Sequence, residues 1–362
     1  MNGAQFGAML DARKTFRADD PLRALGISRP ALAVNDAVHE EIAARLMDGE
    51  AADRLVGDMV RTHGLAAAEA LRLVQAAADH PYVRAAARLR ARVSKRDWLL
   101  ECRARLERDG EEAIPRRHRL AADIFYAEHY RPLRPVVLTG LVDDWPAMGW
   151  SFDRLAARIP GDPEIEVQGD READPDFELN SIAHKRRMRW RAVLAAMQRP
   201  ETGNSLYVTA NNSGVNRQAL AQLWADIGPL PGYLGPSPMG DGFFWMGPQG
   251  SITPWHHDLT QNLLMTCSGT KRVTLVAPHE TQRMQNHRHC FSRFAADAAL
   301  ASVPQDERPR LWQVDIAPGE ILFLPVGWWH HVEGLTPTIG MSFTNFVWPN
   351  DFGRGYSSFD RV

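Results

Sequence analysis

The chain has 362 residues, more than a single domain usually contains, so one large domain and a smaller one are expected. Its 42 basic and 44 acidic residues give a net charge of -2, which shows no clear signal for nucleic acid or for an anionic membrane. The three cysteines are widely spaced and form no CxxC pair, which argues against a disulfide framework. We expect neither a signal peptide nor a transmembrane helix, because no apolar stretch is long enough, and a cytoplasmic location is favoured.

The first third of the chain has a helical pattern. Residues 1 to about 35 look irregular, and one helix is predicted over 38–64. A second helix over 64–80 stops at Pro81, and a third runs from Pro81 to Gly110. We therefore assign residues 1–112 to a helical N-terminal region that serves dimerisation or substrate docking. The apolar residues of the first helix recur at helical spacing: Ile42, Leu46, Leu55 and Met59.

The pattern changes near residue 115, where short apolar runs punctuated by Gly and Pro replace the helical spacing. Strands are predicted in 134–146, 164–168 and 205–212, a short helix in 151–159 and a polar loop in 171–190. Many short strands at such spacing are typical of an antiparallel sandwich or barrel. Residues 113–362 are thus predicted to form a mainly β domain with some helix, which a loop-plus-helix insertion interrupts near 279–312. Five further strands follow residue 241: "FFWMG", "NLLMTC", "KRVTLVAP", "EILFLP" and "TIGMSFTNFVW".

Histidines occur in two doublets, "TPWHHD" at 253–258 and "WWHH" at 328–331. Side chains alternate between the two faces of a strand, so His256 and Asp258 point the same way and His257 points the other way. An imidazole and a carboxylate at this spacing can hold two adjacent positions on a metal. The second doublet offers the third ligand, and two histidines with one carboxylate are typical of non-haem Fe(II) oxygenases.

The segments "GPQGSITPWHHDLTQNLL", "GTKRVTLVAP", "GEILFLPVGWWHHV" and "MSFTNFVW" follow one another in a fixed order. This series resembles the JmjC and cupin-like family of Fe(II)- and 2-oxoglutarate-dependent oxygenases, and is most similar to the JmjC protein hydroxylases. The resemblance extends over about 120–350 and implies a double-stranded β-helix, the jelly-roll fold of cupins. It implies His256, Asp258 and His330 as the iron ligands, with His257 and His331 turned away from the metal.

The same resemblance implies a site for 2-oxoglutarate, with O2 as the other substrate. Lys271 would bind the far carboxylate, and formal charges balance, because Fe(II), one aspartate, the doubly negative 2-oxoglutarate and one lysine sum to zero. Strict alternation places Thr253 on the face opposite His256, so its role would need a bulge or bend at Pro254. The resemblance implies hydroxyl partners at Thr253 and Tyr207, and amide partners at Asn262 and Asn345.

For function, we expect an Fe(II)- and 2-oxoglutarate-dependent dioxygenase that hydroxylates a side chain of a protein or peptide. The loop containing 171–190 would lie near the substrate entrance, with Trp255, Trp328 and Trp329 either walling the pocket or packing in the core. Small-molecule hydroxylation and N-methyl demethylation within the same family remain open. So do a cupin-like metal protein with a different reaction and a non-catalytic cupin-like interaction protein. A homodimer formed through the N-terminal helices is a further expectation.

Overall fold

The computed structural model describes residues 34–108, 110, 113–209, 214–236, 242–294 and 300–356. Contacts between Cα atoms divide the chain into two compact units, one reaching Leu106 and the other continuing from Glu107. Most of the segment predicted as irregular, 1–35, lies outside the described residues. The roles assigned to residues 1–112 in dimerisation or docking stay predictions.

The N-terminal unit is helical. The single helix predicted over 38–64 is wrong, because the chain turns at Gly49, whose φ of 80° is a left-handed conformation. The apolar residues on the two resulting helices nevertheless meet, and Ile42, Leu55 and Met59 are fully buried in one cluster. The helices are α1 (Val34–Met47), α2 (Ala52–His63), α3 (Ala67–Asp79) and α4 (Pro81–Arg108). Within the described residues, no helix combines the length and the apolar character that a membrane crossing requires.

The second unit consists mainly of strands, with short helices between the first of them. Its α-helices are α5 (Ala122–Phe125), α6 (Phe152–Arg158), α7 (Trp190–Met197) and α8 (Gly214–Ala219). Its first strands are β1 (Arg116–His118), β2 (Val136–Thr139), β3 (Glu164–Gly169), β4 (Lys185–Arg189), β5 (Leu206–Tyr207) and β6 (Gly242–Gly247). The later strands are β7 (Ile252–His257), β8 (Asn262–Ser268), β9 (Lys271–Val276), β10 (Asn286–Arg288), β11 (Phe291–Ser292), β12 (Trp312–Ile316), β13 (Ile321–Leu324), β14 (Trp329–Gly334) and β15 (Thr338–Phe343).

Two six-stranded sheets form the domain. One has the order β1-β2-β13-β8-β15-β6 and the other β10-β11-β7-β14-β9-β12, while β4-β3-β5 form a small third sheet. Apart from the parallel β1–β2 pair, neighbouring strands in these sheets are antiparallel. The prediction of a mainly β fold with some helix, built as a cupin-like jelly roll, is confirmed.

Alternation along β8 separates two cores. Leu263 and Met265 belong to the larger core, which also contains residues of α6 and α7. Leu264 points the other way and packs with Val273 and Val332 of the second sheet. The space between the two sheets is therefore apolar where these residues meet.

Two stretches differ from their predictions. The polar segment 171–190 was predicted as a loop, yet Lys185–Arg189 forms β4 at the edge of the small sheet, paired with β3. The insertion near 279–312 was predicted as loop plus helix, yet it contains β11, which pairs with β7 and extends the second sheet. Both strands exist through pairing with a distant partner, which local composition does not reveal.

The turn between β8 and β9 depends on Gly269. Its φ is 77°, and a Cβ there would overlap the carbonyl oxygen of Pro337. Gly161 has nearly the same φ, 76°, but the described atoms leave the position of its Cβ open. The two glycines thus share a backbone requirement and differ in the space around them.

We expect Gly269→Ala to destabilise the protein more than Gly161→Ala. Each substitution carries the cost of a left-handed alanine, about 1–2 kcal/mol, and only Gly269→Ala adds a collision with a neighbouring backbone. Urea unfolding, followed by circular dichroism, measures both free energies of unfolding. Equal losses of stability would show that the turn can shift to make room.

Candidate metal centre and the pocket beside it

Three side chains converge at one place: His256 of β7, Asp258 just beyond the C-terminal end of β7, and His330 of β14. His256 is opposite His330 in the strand pairing, and their ring centroids are 4.1 Å apart. His256 Nε2 lies 3.9 Å from Asp258 Oδ1. One ligand atom from each of the three residues lies within 4.8 Å of the other two, which is close enough to hold a single metal ion. The structure therefore brings together the two predicted histidines and the aspartate.

Hydrogen bonds orient both histidines. His256 Nδ1 is 2.8 Å from the carbonyl oxygen of Pro254, and His330 Nδ1 is 3.0 Å from that of Trp328. A carbonyl oxygen can only accept a hydrogen bond, so Nδ1–H donates to it and Nε2 keeps its lone pair for a metal. Burial lowers the pKa of His256 to about 4 and also lowers the pKa of His330. Both rings are consequently neutral at neutral pH, as a ligand must be.

His257 and His331, the chain neighbours of the two clustered histidines, lie beside aromatic side chains. The ring of His257 meets Trp329 edge-on with centroids 4.8 Å apart, and it also approaches Tyr356. His331 is buried beside Trp255. Both predicted bystanders thus have aromatic neighbours of their own outside the metal cluster.

The bulge predicted for Thr253 is present. On β14, His330 and Val332 are two residues apart, but their partners on β7, His256 and Thr253, are three apart. The additional residue on β7 reverses the alternation between Thr253 and His256. Since residues directly opposite each other share a face, Thr253 joins the inward face that carries His256 and Val332.

Lys271 begins β9 on the same inward face, opposite Gly334 of β14. It is 2% exposed, and no carboxylate forms an ion pair with it in the part of the chain that the structure describes. Burial raises the pKa of nearby Cys267 to about 12, so this thiol is neutral and supplies no negative charge. A buried ammonium without an anion is costly, so this position suits an anionic ligand.

Trp245 of β6 is near both Lys271 and Tyr207. Lys271 Nζ is 5.9 Å from the centroid of the Trp245 ring, and the ring of Tyr207 is 6.0 Å away on centroids. Gly340 is opposite Trp245 on β15, where a Cβ would overlap the carbonyl oxygen of Met265 at 2.5 Å and would lie in ordinary contact with Lys271 Nζ at 3.6 Å. Thr266, which pairs with Gly340, has a buried hydroxyl without a partner among the described residues.

The two predicted amide residues differ in what they contact. Asn262 Nδ2 donates to Asp258 Oδ2 at 3.1 Å and so orients the carboxylate of the cluster. Asn345 Nδ2 donates to the carbonyl of Gly235 at 3.0 Å. Each amide keeps a buried oxygen without a partner in the described part of the chain. Asn262 thus lies at the cluster, whereas Asn345 lines a different cavity together with Gly235 and Phe343.

A cavity of about 380 Å³ lies next to β7, and its lining includes Pro254 and Trp255 of that strand. Its wall includes Glu178 and Leu179 from the segment 171–190, together with Pro254 and Phe291. Phe291 stacks near the ring of His256, with centroids 5.8 Å apart. Residues of the segment that we expected at the substrate entrance thus border one cavity together with β7 and the insertion, and Phe291 connects this cavity to His256.

The three tryptophans are mainly core residues. Trp255 and Trp329 are fully buried in one cluster with Val276, and Trp328 packs against Trp312 in the inner core. Only Trp255 also borders the cavity. Of the two roles considered for them, core packing describes all three.

Sequence reasoning missed Trp245, Gly340 and Arg171. Strand alternation points Trp245 inward, but its nearness to Lys271 follows only from the order of strands in the sheet. Gly340 has no local signal, because an ordinary strand glycine looks the same. Arg171 occurs in a charged segment and suggests a solvated side chain, yet it is fully buried.

Comparison with known proteins agrees with this geometry. A family model described as a cupin-like domain matches residues 121–352, more than half of the chain. Lysine-specific demethylase 8 of Xenopus tropicalis is 28% identical over 255 residues, which cover 65% of this chain and 53% of that protein. Lysine-specific demethylase JMJ30 of Arabidopsis thaliana is 25% identical over 255 residues, covering 66% of this chain and 55% of that protein.

A third relative is named as a protein that associates with another protein and not as a demethylase. HSPB1-associated protein 1 homolog of Danio rerio is 28% identical over 232 residues, which are 56% of this chain and 50% of that protein. The chain spans about half the length of these curated relatives. The expected resemblance to JmjC and cupin-like oxygenases is confirmed, and the chain belongs to the cupin-like domain family.

Proposed function

We propose that this protein is an Fe(II)- and 2-oxoglutarate-dependent oxygenase that hydroxylates a side chain of a protein or peptide. One observation carries the proposal: His256, Asp258 and His330 converge as potential metal ligands, and the same inward face carries the buried Lys271, which has no carboxylate partner among the described residues. The family match and the relatives support the oxygenase class.

The donor set suits Fe(II). Two imidazoles and one carboxylate occupy one side of a metal and leave positions open for a chelating co-substrate and for O2. When bound, Fe(II) and 2-oxoglutarate supply the oxidising chemistry for a C–H bond, with succinate and CO2 as the other products. The chain holds the histidines neutral through burial, and it orients Asp258 through the amide of Asn262.

The spacing along β14 suits a short dicarboxylate. The partner of Lys271, Gly334, is four residues from His330, or about 13 Å along the strand. The lysine side chain spans part of this distance, and 2-oxoglutarate would span the rest between the ammonium and the metal. Thr253, brought inward by the bulge, and Tyr207 would supply hydroxyl groups to the far carboxylate.

A protein or peptide substrate is supported by the position of the cavity. It opens between the segment 171–190 and the insertion, and its wall reaches the neighbourhood of His256 through Phe291. An extended chain could rest on these two segments and present one side chain to the metal. The names of the relatives, two demethylases of lysine and one protein associated with another protein, support the same substrate class.

The experiment that tests the proposal incubates the full chain with Fe(II), 2-oxoglutarate, ascorbate and a cellular peptide library. Succinate production together with peptides heavier by one oxygen atom is the expected result. Peptides lighter by one methylene would instead indicate N-methyl demethylation, which the names of two relatives favour as the second candidate. No binding of 2-oxoglutarate and no succinate would contradict the oxygenase and leave a non-catalytic cupin-like protein.

We expect Asp258→Ala to abolish tight metal binding and His257→Ala to leave it nearly unchanged. Asp258 contributes the only carboxylate of the cluster, whereas the adjacent His257 packs against aromatic rings. Titration with Mn(II), followed by electron paramagnetic resonance, measures both variants without turnover. Equal affinity in the two variants would place the metal elsewhere.

We expect Lys271→Ala to weaken 2-oxoglutarate binding at least 30-fold. Loss of one partner of a buried charge pair costs about 2–5 kcal/mol, and each 1.4 kcal/mol is about tenfold in affinity. Arg272→Ala is the matched control, because Arg272 is the next residue and pairs with Asp315 on the other face. Calorimetric titration of the Mn(II)-loaded protein gives both affinities, and an unchanged Kd in Lys271→Ala would refute this role.

A further inference from the structure

Arg171 is a fully buried arginine outside the metal cluster. Its Nη2 donates to the carbonyl oxygen of Ile252 at 2.7 Å and lies 3.5 Å from Glu178 Oε2. Its Nε and Nη1 are buried without a hydrogen-bond partner among the described residues. A buried guanidinium that is only partly paired costs free energy, so stability alone does not account for its position.

The guanidinium links three segments of the second unit. Its Cζ is 4.2 Å from the centroid of the Phe177 ring and 4.8 Å from that of Tyr207, so the cation is close to both rings. Through the carbonyl of Ile252 it also holds the backbone that immediately precedes Thr253. Arg171 therefore contacts both places that would supply hydroxyl groups to 2-oxoglutarate.

Gln168 adds a second buried polar group at the same place. It is opposite Tyr207 in the pairing of β3 with β5, and residues directly opposite each other share a face. Both polar atoms of its side chain are buried without a partner in the described residues. Two polar side chains with unmet hydrogen bonds thus flank Tyr207, which is expected where a lining awaits a polar ligand or ordered water.

We propose that Arg171 is a positioning residue for the co-substrate: it holds Tyr207 and the backbone before Thr253 in the arrangement that receives the far carboxylate of 2-oxoglutarate. This inference rests on the proposed function. Arg171 acts through its neighbours and does not join the metal cluster. Its loss should consequently affect 2-oxoglutarate affinity and leave metal affinity unchanged.

The test measures two affinities of the full-length chain by calorimetry, Mn(II) alone and then 2-oxoglutarate on the Mn(II)-loaded protein. Arg171→Met keeps much of the volume and removes the charge, and we expect its Kd for 2-oxoglutarate to rise about tenfold with unchanged Mn(II) affinity. Arg171→Lys should fall in between, because lysine restores the charge without the planar donor group. Arg186→Met is the control, since Arg186 is exposed and pairs with the exposed Asp170.

A double-mutant cycle with Tyr207→Phe tests whether Arg171 acts through Tyr207. Coupled residues show non-additive effects, so Arg171→Met should weaken 2-oxoglutarate binding less in the Tyr207→Phe background than in the native one. Independent, multiplying losses would overturn this route. If Arg171→Met does not fold, the same measurements on Arg171→Lys decide the question.

Two results would overturn the inference. One is an unchanged Kd for 2-oxoglutarate in the folded Arg171 variants. The other is a parallel loss of Mn(II) and 2-oxoglutarate affinity together with thermal stability, which would indicate a general structural role. Failure of the native protein to bind 2-oxoglutarate is a separate outcome, because it removes the proposed function first and this inference with it.

Discussion

The antiparallel pairing of β7 with β14 is the interaction on which the rest of the site depends. It sets His256 opposite His330 and, through the bulge, returns Thr253 to their face. A shift of one residue in this register would turn each of these side chains to the other face of the sheet. The positions of the two histidines are therefore fixed by two paired strands, through the backbone hydrogen bonds between those strands. Asp258, just beyond the end of β7, completes the cluster.

Electrostatics add a second constraint. Lys271 and Arg171 are both buried cations, and within the described segments only Arg171 has a nearby carboxylate partner, Glu178. Such charges destabilise a fold unless they meet anions, so a bound dicarboxylate would relieve part of the cost that folding leaves at Lys271. A ligand that binds only the folded state also stabilises it by mass action. Folding and co-substrate binding are thus expected to support one another in this domain.

Much of the fold and the cluster could be predicted from sequence, for reasons that differ by residue. Period-two alternation separates His256 from His257, and Pro254 indicates the bulge that the register of β7 against β14 shows. Each of those features depends on neighbours in the chain. The helix break at Gly49, strand β4 and the pairing of β11 with β7 could not be predicted in this way. A single glycine and two short strands carry weak local signals, and tertiary pairing decides their conformation.

Arg171 and Trp245 show the same limit within the site. A charged residue in an acidic and basic segment is usually solvated, and only the folded chain reveals that Arg171 is enclosed by Phe177 and Tyr207. The inward direction of Trp245 follows from β6, but its distance to Lys271 depends on two different sheets facing each other. The candidate metal ligands could be recognised from sequence motifs. The residues that surround and support them, such as Arg171 and Trp245, could be recognised only from the folded structure.

The pairing of β11 with β7 has a consequence for how this domain can diversify. Phe291 is at once the strand partner of His256 and part of the cavity wall. The insertion that contains Phe291 connects β9 to β12 along the chain. Residues of the insertion outside β11 can therefore change in number or type while β7 and β14 keep their register. A new recognition surface could therefore arise by changing this insertion alone, without altering the strands that carry the histidines.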